Sequence, residues 1–269
     1  MIEPLLLIIT IFCLGLAVGS FLNVVIIRGH KGETLQGRSH CARCDETLSW
    51  QELVPVASFL IQKTRCRHCK AKISWQYPLV ELACAIAYVA GFWTLVSEGM
   101  RVNAQPLAFA GLAIGIPAVL VILVSDLRFQ TIPDGATLTL GIIGLGAVIV
   151  RSAAIPMGTI RVAPYDLGTA LLAAGILGGL WFFSAGQWMG FGDVKLIFAT
   201  SLILGFPAAI AACLFAFWSG GIIGALLLLT RKKQLRQQIP FGPFIILGGI
   251  LAWFFSPLFF NSLGLGILV

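Results

Sequence analysis

Charged residues are scarce in this sequence. Only 11% of the residues are Asp, Glu, Lys or Arg, whereas a soluble domain carries about 25%. Hydrophobic residues make up 58% of the chain, and its mean hydropathy is +0.96. The composition therefore excludes a soluble domain and predicts an integral membrane protein.

The first residues also lack the features of a cleaved signal peptide. Met1-Ile2-Glu3-Pro4 contains no basic segment, and no small-residue cleavage site follows the first apolar run. We therefore expect this run to be retained as a helix. The sequence contains neither an internal repeat nor a low-complexity tract.

Eight apolar runs are candidates for membrane helices, each of which needs about 20 residues. The runs cover residues 5–27, 79–98, 106–125, 136–150, 166–184, 194–205, 207–229 and 243–260. The sixth run is short, and only Gly205-Phe206-Pro207 separates it from the seventh, so a count of seven stays open. The sequence predicts an all-α polytopic membrane protein with about eight transmembrane helices.

The distribution of basic residues predicts the orientation of these helices. If the N-terminus lies outside, all 18 lysines and arginines except Arg101, Arg151 and Arg161 fall in or beside the inside loops. The inside loops are then 28–78, 126–135, 185–195 and 230–242. The net charge of +7 is thus explained by topology, and we expect membrane lipid rather than nucleic acid as the partner.

Four of the seven cysteines are clustered. They form two C-x2-C pairs, Cys41 with Cys44 and Cys66 with Cys69, with a separation one residue beyond the usual zinc-ribbon window. Two such pairs can complete a closed tetrahedral zinc site, and a reducing cytoplasm argues against disulfides. We predict a structural zinc that stabilises the short 28–78 segment; redox dithiols and unliganded thiols stay open as alternatives.

Two carboxylates occur where apolar runs meet polar stretches. Asp126 ends one run, and Asp193 follows Gly190 and Gly192 at the start of another. An acidic residue at the membrane is a candidate functional group, and glycines permit unusual backbone angles and close approach of a peptide. Two neighbouring aspartates in a low-dielectric site can share one proton, as in aspartic proteases. A helix cap or an ion pair with Arg128 or Lys195 is the alternative for Asp193.

Two further carboxylates lie near the same face. Asp134 is placed to cap the helix that follows it, and Glu81 falls at a helix start, where the helix dipole favours an acid. Either residue could instead support the site formed by Asp126 and Asp193. We expect Glu33, Asp45, Glu46 and Glu52 in the 28–78 loop to be solvated, and Asp166 to lie on the outer side.

The pattern resembles the type IV prepilin peptidase family, also called prepilin leader peptidase/N-methyltransferase, whose members are GxGD-type aspartic proteases. Six segments carry the resemblance in order: residues 19–26, the two cysteine pairs, residues 73–78 with 81–82, residues 126–134, the Gly190-Phe191-Gly192-Asp193 motif and residues 239–244. The sequence departs from the family at Ala42 and Thr64, and neither position is a ligand or an acid.

The resemblance implies that Asp126 and Asp193 are the catalytic pair, within a peptidase domain over 79–269 that follows a first helix (1–27) and a cytoplasmic cysteine domain (28–78). It further implies a multi-pass protein of the bacterial inner membrane that removes the basic leader from prepilins and pseudopilins at the cytoplasmic face. Methylation of the new N-terminus with S-adenosylmethionine is also implied.

Two alternatives stay open. The first is a peptidase without methyltransferase activity, because the sequence contains no glycine fingerprint in a βαβ context for the methyl donor. The second is a transporter or channel with a zinc-binding regulatory loop, in which the aspartates carry protons or cations. The match at residues 239–244 argues against the transporter.

Overall fold

The computed structural model describes residues 2–97, 105–154, 162–230 and 239–262. The regular structure within them is helical, which confirms the all-α prediction. The helices are α1 (Ile2–Lys31), α2 (Ala57–Ile61), α3 (Gln76–Ser97), α4 (Gln105–Phe129), α5 (Asp134–Ala154), α6 (Val162–Phe183), α7 (Phe191–Leu204), α8 (Ala208–Leu229) and α9 (Gly242–Ser262). A 3₁₀ turn, Trp50–Glu52, precedes α2.

Seven of these helices are long and apolar enough to cross a membrane, namely α1, α3, α4, α5, α6, α8 and α9. Several extend beyond the predicted apolar runs; α1 continues to Lys31, and α3 begins at Gln76. Helix α7 has only 14 residues. It ends at Gly205, as the sequence predicted, and is separate from α8.

Helix α7 runs beside α5 in the same direction. At its start, Lys195 pairs with Asp134, the first residue of α5. At its end, the carbonyl oxygens of Leu202 and Ile203 accept hydrogen bonds from Arg151, in the last turn of α5. Helix α7 therefore lies alongside α5, and counting it gives seven or eight candidate spans, in agreement with the sequence.

The chain forms two compact units, Met1–Val121 and Ile122–Val269. In the first unit, α1 packs closely on α3, because small residues let the two backbones approach. In the second unit, α7 packs against α5, α6, α8 and α9. Its buried apolar side chains include Leu196, Ile197 and Leu202.

Some residues used to predict the topology lie outside the described parts of the chain. They are Arg101, Arg161, Arg231, Lys232, Lys233 and Arg236.

Candidate active site and cysteine cluster

The Asp126 carboxyl is buried near the end of α4, with 5% of the residue exposed. Its Oδ2 accepts a hydrogen bond from the backbone N–H of Gly242 at 2.9 Å. Gly242 is the first residue of α9, so its N–H belongs to the set that a helix leaves unpaired at its N-terminus. The start of α9 therefore holds one oxygen of Asp126 in a fixed direction.

The Asp193 carboxyl is also buried, with 6% of the residue exposed, in the first turn of α7. Its Oδ2 accepts a hydrogen bond from the backbone N–H of Gly190 at 3.2 Å. Its Oδ1 is buried and has no hydrogen-bond partner among the described residues. One oxygen of Asp193 thus orients the carboxyl, and the other remains available to a reactant.

The segments that hold the two carboxyl groups meet at one residue. Ile132, in the short connection between α4 and α5, packs between the segments that hold them. A Cβ placed on Gly192 would lie 2.9 Å from Ile132 Cβ, and one placed on Gly242 would lie 3.5 Å from Ile132 Cδ1. The end of α4 and the starts of α7 and α9 therefore converge on one site.

The two glycines of the GxGD motif differ in how closely other atoms approach them. Neither has a positive φ; Gly190 is extended at φ −80°, and Gly192 is helical. A Cβ on Gly192 would collide with Ile132, whereas the nearest atom to a Cβ on Gly190 would be Asp193 Oδ2 at 3.8 Å. In this structure close approach, rather than unusual backbone angles, requires glycine at position 192.

Sequence reasoning did not single out Gly242 or Ile132. Both lie in segments that carried the resemblance, at 239–244 and 126–134. The signal for Gly242 was a glycine directly before the next apolar run. A Cβ there would lie only 2.6 Å from Asp126 Oδ2, so the packing itself requires the residue to be glycine.

Asp134 and Lys195 form an ion pair that joins the starts of α5 and α7. Asp134 is the first residue of α5, and its side chain is 81% exposed. The alternative partner considered for Asp193, Lys195, is thus paired with Asp134 instead. Because exposed ion pairs contribute little to stability, this pair aligns the two helices only weakly.

Glu81 lies in the first unit and is buried. It accepts a hydrogen bond from the backbone N–H of Val56 at 2.7 Å and interacts with the hydroxyl of Ser20. These contacts join α3 to α1 and to the segment before α2. Val56 has a φ of +59°, which is rare for a β-branched residue, and its N–H is thereby directed to Glu81.

The four clustered cysteines come together in the first unit. The sulfur atoms of Cys41, Cys44, Cys66 and Cys69 all lie within 4.8 Å of one another, and Cys41 and Cys69 are 3.9 Å apart. A tetrahedral site with Zn–S bonds of about 2.3 Å needs sulfur atoms about 3.8 Å apart. The arrangement therefore fits a metal of that geometry.

Each cysteine pair has the same local geometry. The backbone N–H of Cys41 donates to Glu46 O, and that of Cys66 donates to Ala71 O, both at 2.9 Å. The N–H groups of Cys44 and Arg43 also donate to the Cys41 sulfur and lower the pKa of its thiol to about 7. A thiolate is the form of cysteine that binds metal, so these bonds favour ligation at Cys41.

The expectation that Glu52 is solvated is wrong. The residue is only 8% exposed, and its Oε2 accepts hydrogen bonds from the Ser49 N–H at 3.0 Å and the Ser49 hydroxyl at 2.9 Å. These bonds close the 3₁₀ turn between the two cysteine pairs. The apolar residues there form only a small core: Phe59 is buried against Trp75, while Trp50 and Leu60 are exposed.

Known families match both parts of the chain. Residues 13–95 match the bacterial peptidase A24 N-terminal domain, and residues 113–228 match the type IV leader peptidase family. The chain is also 32% identical to the type 4 prepilin-like proteins leader peptide-processing enzyme of Escherichia coli O78:H11, over 91% of this chain and 93% of that protein. The chain belongs to the type IV leader peptidase family.

Two further relatives are named prepilin leader peptidase/N-methyltransferase. The protein from Bacillus subtilis (strain 168) is 30% identical over 91% of this chain and 93% of its own length. The protein from Burkholderia pseudomallei (strain 1026b) is 30% identical over 93% of this chain and 86% of its own length. No solved structure matches the chain.

These matches confirm the resemblance inferred from the sequence. The chain is a multi-pass membrane peptidase of the type IV leader peptidase family, and this membership favours a peptidase over the transporter alternative. The clustered cysteines lie in the first matched segment. Asp126 and Asp193 lie in the second.

Proposed function

We propose that this leader peptidase removes the basic leader from type IV prepilins and pseudopilins, with Asp126 and Asp193 as its catalytic acid/base pair. The observation that supports this most directly is the convergence of two buried carboxyls at the end of α4 and the start of α7. The substrate class comes from the names of the relatives, which are prepilin leader peptidases.

The two carboxyls would act as one unit that shares a proton. The ionised carboxylate takes a proton from water, and the water oxygen bonds to the carbonyl carbon of the scissile amide. The protonated carboxyl donates its proton to the carbonyl oxygen. The C–N bond then breaks as the amine nitrogen takes up the proton of the first carboxyl, while a hydroxyl of the tetrahedral intermediate returns its proton to the second carboxylate and so restores the shared proton. The free Oδ1 of Asp193 is the acceptor available to water.

Cys41, Cys44, Cys66 and Cys69 are proposed to hold a structural zinc. Four thiolates would close the coordination sphere and leave no open position for chemistry. Because segment 28–78 buries few apolar side chains, metal binding would supply much of its folding free energy. Glu52 and Glu81 would support this segment through their bonds to Ser49 and Val56.

We place the protein in the bacterial inner membrane with the active site facing the cytoplasm. The distribution of lysine and arginine supports this orientation. The organisation proposed from the sequence has a first helix (1–27), a cytoplasmic cysteine domain (28–78) and a peptidase domain (79–269). The starts of α5, α7 and α9 would then face the compartment that contains the prepilin leader.

Methylation of the new N-terminus, with S-adenosylmethionine as donor, is the second proposed activity. Its support is the N-methyltransferase part of the relatives' names. No segment of this chain is assigned to the methyl donor.

A single incubation tests both activities. The purified protein in detergent is mixed with a prepilin and S-adenosylmethionine, and the products are analysed by intact mass and N-terminal fragmentation. The expected result is a shortened pilin whose new N-terminus carries a methyl group. A shortened, unmethylated pilin would leave only the peptidase, and an unprocessed prepilin would contradict the proposed function.

A further inference from the structure

Arg151 joins α5 to the end of α7. Its Nη1 and Nη2 donate hydrogen bonds to the carbonyl oxygens of Ile203 at 2.8 Å and Leu202 at 2.7 Å. The last carbonyl groups of a helix have no partner within the helix. The guanidinium therefore caps the end of α7, the helix that begins with the Asp193 turn.

Asp166, in α6, completes this arrangement. Its side chain is fully buried, and its Oδ2 accepts a hydrogen bond from Arg151 Nε at 2.9 Å and lies 2.9 Å from Arg151 Nη2 as an ion pair. Its Oδ1 accepts the backbone N–H of Phe206 at 2.8 Å. Gly205 has a φ of +72°, and a Cβ there would lie 2.8 Å from Asp166 Oδ1. We name Arg151, Asp166, Gly205 and Phe206 the α7 clamp.

The α7 clamp is a costly way to gain stability alone. Removing the Asp166 carboxylate from water has a desolvation penalty that its attraction to Arg151, whose side chain is 31% exposed, often fails to exceed. What such a pair supplies is one defined geometry. The guanidinium fork fixes both the direction and the distance of its partners.

The sides of α7 pack closely on α5, where a Cβ on Gly144 would lie 2.7 Å from Leu202 Cβ. This packing is largely apolar, and apolar side chains in a lipid environment gain no hydrophobic preference for one register. At the start of α7 the polar contacts include the exposed Lys195–Asp134 pair and the bond from Gly190 to Asp193 itself. The α7 clamp therefore adds directional polar contacts, centred on the fully buried Asp166, to the close packing that holds the register of α7.

We propose that the α7 clamp positions the active site, with Arg151 and Asp166 as positioning residues that hold Asp193 opposite Asp126. This role rests on the proposed peptidase function of the two aspartates. A shift of α7 by one residue would turn it by about 100° and move it by about 1.5 Å. Either change would direct the Asp193 side chain away from its partner.

The kinetic test uses Arg151→Lys and Asp166→Asn in the full-length protein. Lysine keeps the charge of Arg151 but lacks its fork, and asparagine keeps the shape of Asp166 without its charge. The matched control is Ser152→Ala, because Ser152 is adjacent in α5 and its hydroxyl bonds only to Val148 O of the same helix. We expect kcat of the folded clamp variants to fall about 10- to 100-fold, with KM within about twofold, because misplaced acids impair chemistry rather than prepilin binding.

A second measurement reports the register without any catalysis. The pair Asp134→Cys and Lys195→Cys replaces the ion pair at the start of α5 and α7, and a short bifunctional thiol reagent cross-links it. The linked peptides are quantified by mass spectrometry with the clamp intact and with Asp166→Asn. We expect the cross-link yield to fall at least about threefold when the clamp is broken. A one-residue slip would turn and move α7, and position 195 would then lie farther from position 134.

The two measurements separate the possible failures. A lower yield of folded protein, with kcat and cross-linking unchanged in the folded fraction, would overturn the positioning role and leave only a structural one. If the wild-type protein cleaved no prepilin, the proposed function would fail. The cross-link would then still decide whether the α7 clamp sets the register.

Discussion

The backbone N–H of Gly242 donates a hydrogen bond to Asp126 Oδ2 at 2.9 Å, across 116 positions of sequence. The contact is possible because residue 242 has no side chain; a Cβ would lie 2.6 Å from the same oxygen. The first residue of α9 is therefore part of the site that α4 and α7 form. Its backbone N–H binds the Asp126 carboxyl, as the backbone N–H of Gly190 binds the Asp193 carboxyl.

Gly242→Ala should lower the rate of prepilin cleavage by about 10- to 100-fold, because the added methyl group must displace either the Asp126 carboxyl or the start of α9. The measurement is the initial rate of leader removal by purified protein. Gly249→Ala, in the same helix, is the control, since its Cβ would meet only Leu204 Cδ1 at 3.9 Å. Equal rates for the two variants would contradict the contact.

Gly192→Ala should impair cleavage far more than Gly190→Ala. A Cβ at position 192 would lie 2.9 Å from Ile132 Cβ, which cannot rotate away, whereas the nearest atom to a Cβ at position 190 is 3.8 Å away. Alanine at 190 also keeps the N–H that bonds Asp193. The initial rates of both variants, compared at equal folded concentration, check this order, and a larger loss for Gly190→Ala would reverse it.

Cys41→Ser should abolish metal binding and unfold the segment between α1 and α3. The purified wild type is expected to contain about one zinc ion per chain, measured by elemental analysis. The variant should contain almost none and be cleaved rapidly by protease within residues 32–75. Cys13→Ser, outside the cluster, should keep both the zinc and the resistance to protease. Full zinc content in Cys41→Ser would remove the cluster as the metal site.

Glu52→Gln should destabilise the same segment by on the order of 1 kcal/mol, because a charged acceptor is replaced by a neutral one. The Ser49 N–H lowers the pKa of the Glu52 carboxyl, with smaller effects from the Ser49 hydroxyl, His68 and Arg67. The measurement is the protease susceptibility of residues 32–75 in the wild type and the variant, each over a range of pH.

The sign of the pH dependence follows from the lowered pKa of Glu52. A carboxyl whose pKa is lower in the folded protein stabilises it fully above the ordinary value of about 4.3 and loses this effect as pH falls through the folded value. The difference between wild type and Glu52→Gln should therefore persist as the pH falls to 5 and shrink only below the ordinary carboxyl pKa of about 4.3. A difference that disappeared between pH 6 and 5 would show that Glu52 titrates there and would contradict the assignment.

The sequence alone predicted the helices well and singled out the two candidate acids. Long apolar runs determine membrane helices directly, and Asp126 and Asp193 stood out because charge is rare beside such runs. The break at Gly205 was also visible, because Gly and Pro together end a helix. The cysteine spacing predicted the cluster, since two C-x2-C turns can bring four sulfur atoms together without any longer-range information.

The remaining contacts depend on distant parts of the chain. Glu52 looked like a solvated loop residue, and its burial follows from a turn that the spacing does not reveal. Arg151 and Asp166 were predicted to lie on the outer side, but the sequence does not show that they pair, which happens because α5 ends and α6 begins beside the end of α7. Gly242 acts only through its backbone N–H, so its role could not be predicted from its side chain. The role is evident only from the position of the start of α9 beside Asp126.

The most direct test of the central claim is prepilin cleavage by Asp126→Asn and Asp193→Asn, with Glu33→Gln as the exposed carboxyl control. Each asparagine keeps the size of the side chain but cannot exchange a proton. We predict that each variant inserts and folds like the wild type, yet cleaves more than about 100-fold more slowly, while Glu33→Gln cleaves at the normal rate. Cleavage at the wild-type rate by either asparagine variant would contradict the account.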